Sequence, residues 1–332
     1  MTPVQRFRLL ASILLFLVAL KPTLSLSLEP SEENQNKELV ASSLKVSGYA
    51  QLLFTEQNDN QDTFAVRRAR LNLGGNLAKK LKLKLQVDLT RSPALMDAVV
   101  DLALDEKINF RLGQFLVPFS LENSTSAAEL LTINRSRTVE LLAPGRDNRA
   151  AGRDIGASFF GSFSFLEYSL GLINGSGINR TDDNHRKDLA GRLVVHPIGN
   201  LKIGFSLYRG RKTEAGQPDY SIRNKYGAEL CFNQSWFHFQ AEFIRARDGQ
   251  VVKQGWYAQG AFDLKPDRYQ LVLKLDTVNL DRNLPDLKTT VFTAGASWYL
   301  ANRSKLQANF EYRREKNGPD DRALLIQLQV GF

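Results

Sequence analysis

The sequence predicts an all-β protein, a 16-stranded antiparallel transmembrane β-barrel, and three observations predict it. The stretch "LKLKLQVDLT" at 81–90 alternates without a break, with Leu81, Leu83, Leu85, Val87 and Leu89 on one parity and Lys82, Lys84, Gln86, Asp88 and Thr90 on the other. Successive side chains of a strand point to opposite faces, so this pattern gives a ribbon with one apolar and one polar side; helical spacing from Leu81 meets Lys84 and Asp88 and fails. Similar segments recur sixteen times, joined by connections that are alternately short and long. The chain ends in "RALLIQLQVGF", an amphipathic strand whose last residue, Phe332, is aromatic.

In chain order, Arg6 and Arg8 precede an uncharged apolar run from Leu9 to Leu20, followed by the small-residue pairs Thr23/Ser25 and Ser25/Ser27. Twelve apolar residues reach about 18 Å as a helix, short of a hydrocarbon core of ~30 Å. The expectation is a removed signal peptide over 1–25 rather than an anchor. Residues 26–43 are polar and acidic and read as a flexible periplasmic leader or a short oligomerisation helix. The barrel then occupies 44–332, with strands expected at 44–55, 64–77, 81–90, 96–105, 108–116, 153–160, 164–173, 188–196, 200–209, 223–232, 236–245, 254–264, 268–279, 289–300, 304–313 and 323–332.

"AKK", "DEK", "GSFS", "HPIGN", "NQS", "KPDR" and "ANRS" are the short connections; 56–63, 91–95, 117–152, 174–187, 210–222, 246–253, 280–288 and 314–322 are the longer ones. Short periplasmic turns and long external loops are the habit of outer-membrane barrels, and an even strand number returns both termini to one side. Trp236, Tyr269, Trp298, Tyr299 and Phe332 fall beside the short turns, where an interfacial aromatic girdle is expected. The terminal strand resembles those of bacterial outer-membrane barrels. That likeness implies outer-membrane lipid as surroundings and a barrel-insertion machinery that reads the strand through Phe332.

Lysines facing lipid would cost ~2–4 kcal/mol each near the midplane, so the leucines of 81–90 meet lipid and Lys82 and Lys84 face the bore. The same parity turns Arg68, Arg70 and Arg111 inward, together with Asp88, Asp97 and Asp101. Segment 117–152 is too long for a bare connection and reads as an inserted constriction loop, with a helix-like run expected from Ser126 to Ile133. It carries Arg135, Arg137, Arg146 and Arg149, and Arg153 follows it; its acids Glu122, Glu129 and Glu140 are placed to oppose the basic wall. A ring of such charges sets a pore's selectivity. Two readings stay open: an anion-preferring channel, or a general diffusion pore with a transverse field.

The formal charge of +9 falls to +6 without Arg6, Arg8 and Lys21. The basic residues are scattered along strands, so no nucleic-acid partner is expected. One cysteine, Cys231, excludes a disulfide framework, and no His/Cys cluster suggests a metal or other cofactor. A barrel enzyme is the rival class. His185 lies beside Asp182 and Asp183, His196 before Pro197 and His238 near Gln240 and Glu242, none within a recognisable nucleophile motif. "NGSG" at 174–177 is a loop turn, since no strand–loop–helix frames it.

"FAVRRARLNLGGNLAKKLKLKLQVDL", "FRLGQFLVPFSLENSTSAAELLTINRS" and "LLAPGRDNRAAGRDIG", with "YQLVLKLDTVN" and "ASWYL" later, resemble the porin O/P family in order and spacing. The resemblance covers most of 44–332. It implies sixteen-stranded homotrimeric channels for small hydrophilic or anionic solutes. The best-known members take phosphate or polyphosphate through pore arginines and lysines. Arg68, Arg70 and Arg111 match family positions; the loop arginines match less closely.

Overall fold

Alternation of period two carries through into a closed ladder. The computed structural model describes residues 44–58, 61–212, 221–301, 303–316 and 318–332; the expected signal peptide and leader lie outside them. Among the described residues sixteen strands form: β1 (Lys45–Gln57), β2 (Thr63–Ala78), β3 (Leu81–Asp88), β4 (Leu95–Ala103), β5 (Asn109–Leu116), β6 (Arg153–Phe163), β7 (Leu166–Ile173), β8 (Asp188–Ile198), β9 (Leu201–Lys212), β10 (Ser221–Asn233), β11 (Phe237–Asp248), β12 (Val251–Lys265), β13 (Tyr269–Asn279), β14 (Lys288–Ala301), β15 (Ser304–Glu315) and β16 (Asp321–Gly331). Each pairs antiparallel with its sequence neighbour, and β1 pairs with β16 to close the barrel. Closure removes the unpaired edges that an open sheet presents.

The seam is fastened at its last residue. Gly48 and Phe332 exchange two backbone hydrogen bonds of 3.0 Å each. A Cβ on Gly48 would lie 2.7 Å from the Phe332 ring and 2.5 Å from the Arg70 carbonyl oxygen, so only glycine admits the ring there. On the outer face stand Leu52, Phe64, Leu112, Phe205, Phe243, Leu273 and Val330, all exposed; Gln51, Gln86, Lys225, Gln259, Lys274, Gln307 and Gln329 are buried inside.

Several local expectations are corrected. β3 ends at Asp88 rather than residue 90, because the Asp88 carboxylate accepts the Thr90 hydroxyl (2.7 Å) and backbone N–H (3.3 Å) and turns the chain. The supposed long connection 246–253 is a tight turn at Gly249–Gln250, where Gly249 takes a φ of +60°. Trp236, Tyr269, Trp298 and Phe332 stand exposed beside the short turns. Tyr299 instead turns inward and donates to Gln270 Oε1 at 3.2 Å; neighbours in a strand cannot share a face, and Trp298 holds the outer one.

The segment between β5 and β6 forms two short helices, α1 (Leu121–Ser124) and α2 (Arg137–Leu142). No helix forms over 126–133. There the backbone is held by the barrel wall: Lys305 Nζ donates to Leu130 O (2.8 Å), Gln307 Nε2 to Leu131 O (3.2 Å) and Ile133 N to Asn309 Oδ1 (2.7 Å). Backbone groups satisfied from outside have no need of helical partners. The helices start instead at Ser120 and Ser136, whose side chains accept from Asn123 N and Val139 N.

Candidate functional site

The constriction begins with the loop's attachment, which is both apolar and polar. Phe119, Val139, Leu142 and Ala143 of the loop pack into one buried cluster with Ile173, Ala190, Tyr208, Ile244, Tyr257 and Val278 of the wall. Inward carboxylates then meet the helix N-termini. Glu242 accepts Leu121 N (2.9 Å) and Glu122 N (2.7 Å) and is held by the Tyr257 hydroxyl (2.7 Å). Asp276 accepts Arg137 N and the Thr138 hydroxyl (2.7 Å). Inward lysines take carbonyls: Lys225 donates to Leu142 O at the end of α2 (2.9 Å), and Lys274 to Asn134 O (2.7 Å). Glu242 and Asp276 at the helix starts and Lys225 at the end of α2 match the peptide dipoles, while Lys274 holds the chain just before α2.

The polar attachments of the loop gather along β10–β16, and the passage runs past β1–β3 at one level and past β1 and β13–β16 at the other. A cavity of about 1000 Å³ reaches toward the short-turn end at Ser47 and Arg303. A second, about 350 Å³, reaches toward the long-loop end at Thr55, Gln57 and Asp321. They share Arg67, Arg135, Glu140 and Leu141, so these four side chains surround the passage from one to the other.

Of the residues expected at the pore, Arg68, Arg70, Lys84, Arg135, Arg146, Arg149, Arg153, Glu129 and Glu140 line the larger cavity, and Arg137 lines the smaller. Lys82 is exposed, opposite Asp101 in the ladder, and lines neither. Arg111 also lies outside both, held bidentately by Asp101 at 2.7 and 2.9 Å. Glu122 does not face the wall: it is buried beneath the loop, accepting Ser136 N at 2.8 Å, and burial raises its carboxyl above the ordinary value.

Charge pairing sorts the basic side chains. Arg70 meets Asp88 (2.9 Å), Lys84 and Arg153 both meet Asp97 (2.7 and 2.6 Å), and Arg146 meets Glu140 (2.9 Å). Arg67, Arg68 and Arg135 have no carboxylate of the described residues within ion-pair distance. Arg68 donates to Gln51 Oε1 (2.8 Å), Arg67 to Asn134 Oδ1 (2.6 Å), and Arg135 to the carbonyls of Glu122 (3.0 Å) and Thr125. Neutral acceptors orient these guanidinium groups without cancelling their charge.

Arg67 escapes simple alternation. Gln51 pairs with Arg68 but Leu52 pairs with Val66, so Arg67 is the extra residue of a β-bulge. It enters the pore beside Arg68. The sequence carries a signal for it: the outward apolar positions are even at Phe64 and Val66 but odd at Ala69, Leu71 and Leu73. A change of parity inside one strand requires an inserted residue.

Comparison with known proteins agrees with this architecture. No curated protein matches the sequence. Among solved structures, a loop-deletion form of OmpT, an outer membrane protein of Vibrio cholerae, matches with TM-score 0.65 at 11% identity over 87% of this chain and 99% of its own. The outer membrane channel DcaP of Acinetobacter baumannii gives 0.63 at 11% over 87% and 97%, and a mutant Rh. blastica porin 0.56 at 12% over 87% and 100%. These likenesses are of fold. The family described as phosphate-selective porin O and P matches residues 46–332, and the chain belongs to it.

Proposed function

We propose that this outer-membrane porin passes small hydrophilic solutes passively and prefers anions, phosphate being the solute its family suggests. The observation that carries the reading is the placement of Arg67 and Arg135 at the constriction, with Arg68 beside them in the larger cavity, all without carboxylate partners, while Glu140 is engaged by Arg146. A small anion passing there meets guanidinium donors in a confined, weakly screened space, where charge counts for more than in bulk water. Arg70, Lys84, Arg146 and Arg153 are paired and contribute less field, though Arg70 and Arg153 stiffen the wall.

Those pairs favour a second reading, a general diffusion pore, because carboxylates match part of the lining's positive charge. Reversal potential in a KCl gradient separates the two: anion preference supports the first, neutrality or cation preference the second. Block of chloride current by millimolar phosphate tests the solute, and absence of block excludes a phosphate site of useful affinity. A homotrimer is proposed as well, supported by the trimer form in which the Vibrio cholerae OmpT has been solved, at 10% identity. Light scattering of the detergent-solubilised protein would give three chain masses. Recognition of Phe332 by the insertion machinery completes the reading.

A further inference from the structure

Two strands carry the same unexpected ending. The outward positions of β9 run Leu201, Ile203, Phe205, Leu207 and then Arg209 and Arg211; those of β11 run Phe237, Phe239, Ala241, Phe243 and then Arg245 and Arg247. The inward positions beside them are buried at Tyr208, Ile244 and Ala246, which fixes the four arginines on the outer face. All four are exposed. The ladder aligns them across β10: Arg209 pairs with Asn224, and Asn224 with Arg247; one row nearer the apolar belt, Leu207 pairs with Tyr226, and Tyr226 with Arg245.

These arginines sit at the long-loop end. At the opposite end, the outward side chains beside the short turns are Trp236, Phe262, Leu264, Tyr269 and Trp298. The outer face of β9 and β11 is thus cationic at its long-loop end, while aromatic side chains gather beside the short turns. An unpaired arginine on the outer face costs ~2–4 kcal/mol at the midplane but only ~0–1 near an interface, so the rows mark the headgroup level. No carboxylate of the described residues lies within ion-pair distance of Arg209, Arg211, Arg245 or Arg247; Arg247 Nε donates to Gly249 O at 3.1 Å. Arg209 and Arg211 line an open cavity of about 490 Å³ with Arg186, Lys187, Ile222 and Asn224. Neighbouring strands lie ~4.8 Å apart, so Arg209 and Arg247 are separated by roughly 10 Å, a spacing suited to a headgroup with more than one phosphate.

We infer that the outer face of β9–β11 at its long-loop end is a binding site for a phosphorylated lipid headgroup of the outer leaflet, gripped by Arg209, Arg211, Arg245 and Arg247. Bidentate guanidinium–phosphate hydrogen bonding supplies the affinity, and Leu207, Phe205 and Phe243 receive the acyl chains. The inference rests on reading the barrel as membrane-spanning but not on the selectivity of its pore.

The test uses the full-length protein in detergent and the variant Arg209→Gln/Arg211→Gln/Arg245→Gln/Arg247→Gln. Both are titrated with lipid A and with lipid A stripped of its phosphates. Heat-modifiable migration and unchanged single-channel conductance confirm that the variant folds, since none of the four lines the bore. The wild type should bind lipid A at least tenfold more tightly than the variant, and dephosphorylated lipid A as weakly as the variant binds lipid A. Equal affinity of the two proteins, or indifference to the phosphates, overturns the site. So does displacement of the lipid by millimolar inorganic phosphate, which would mark a free-anion site, or loss of the oligomer in the variant, which would mark a contact between copies. Failure of the wild type to conduct at all would be a failure of the porin reading, seen independently in the conductance control.

Discussion

The side chain on which the pore's character turns is Arg67. The bulge adds it to a wall that already holds Arg68, and its partner Asn134 leaves its charge intact. Deleting Arg67 restores plain alternation, because Val66 then precedes Arg68 with the outward and inward faces already correct. The deletion variant should fold with unchanged heat-modifiable migration. Its anion-to-cation permeability ratio should fall roughly fivefold, equivalent to about 1 kcal/mol, when measured by reversal potential. Arg135→Ala should act in the same direction and raise conductance as well, since it also removes bulk from the passage. A deletion variant that keeps full anion preference would show that Arg67 is scaffolding.

Among the elements, the inserted loop decides the shape of the bore, and wall carboxylates decide where the loop sits. Asp276→Ala removes the acceptor of Arg137 N and of the Thr138 hydroxyl and leaves the first turn of α2 to its Ser136 cap alone, at a cost of ~1–3 kcal/mol for the unmet donors. Single-channel recordings should show larger, noisier openings with the barrel still closed. Glu122 adds a pH dependence. Its carboxyl is raised by burial, so the folded loop holds the proton more tightly than the unfolded chain. Stability from this group is complete below the ordinary carboxylate range and is lost as pH rises through the raised value. Glu122→Gln keeps an acceptor for Ser136 N, so the variant's melting temperature relative to wild type should climb from pH 4 to pH 8; a constant difference would contradict the assignment. At this scale the sequence was legible in part. Strand number and most of the facing followed from alternation, because lipid and water enforce it along each strand except where a bulge such as that at Arg67 intervenes. The helix starts did not: Ser120 and Ser136 cap, but Ser126 has the same chemistry, and the choice among them is made by Glu242, Asp276 and Asn309, far away along the chain. Tyr299 was misplaced for a simpler reason, since proximity to a turn does not say which face a residue occupies.

For the whole molecule, closure and pore are one problem. The seam that Gly48 and Phe332 fasten stands next to the strand bearing Arg67, Arg68 and Arg70. Gly48→Val would force the Phe332 ring and the Arg70 carbonyl apart, and should sharply lower the heat-modifiable fraction recovered from membranes. A variant recovered in normal yield would show that the seam tolerates a side chain there. The overall architecture and the inward cations of the wall were visible in the sequence, but which cations keep their charge was not. Asp88, Asp97 and Asp101 were expected to face inward; only the register shows that they take Arg70, Lys84, Arg153 and Arg111, leaving the field at the narrow passage to Arg67, Arg68 and Arg135, with Arg137 and Arg149 of the loop to either side. The most direct test of that claim is the reversal potential of the wild-type channel across a planar bilayer in a KCl gradient. A potential of the sign set by chloride, moving toward zero in the Arg67 deletion, is the predicted result; a neutral or potassium-selective wild-type channel would contradict it.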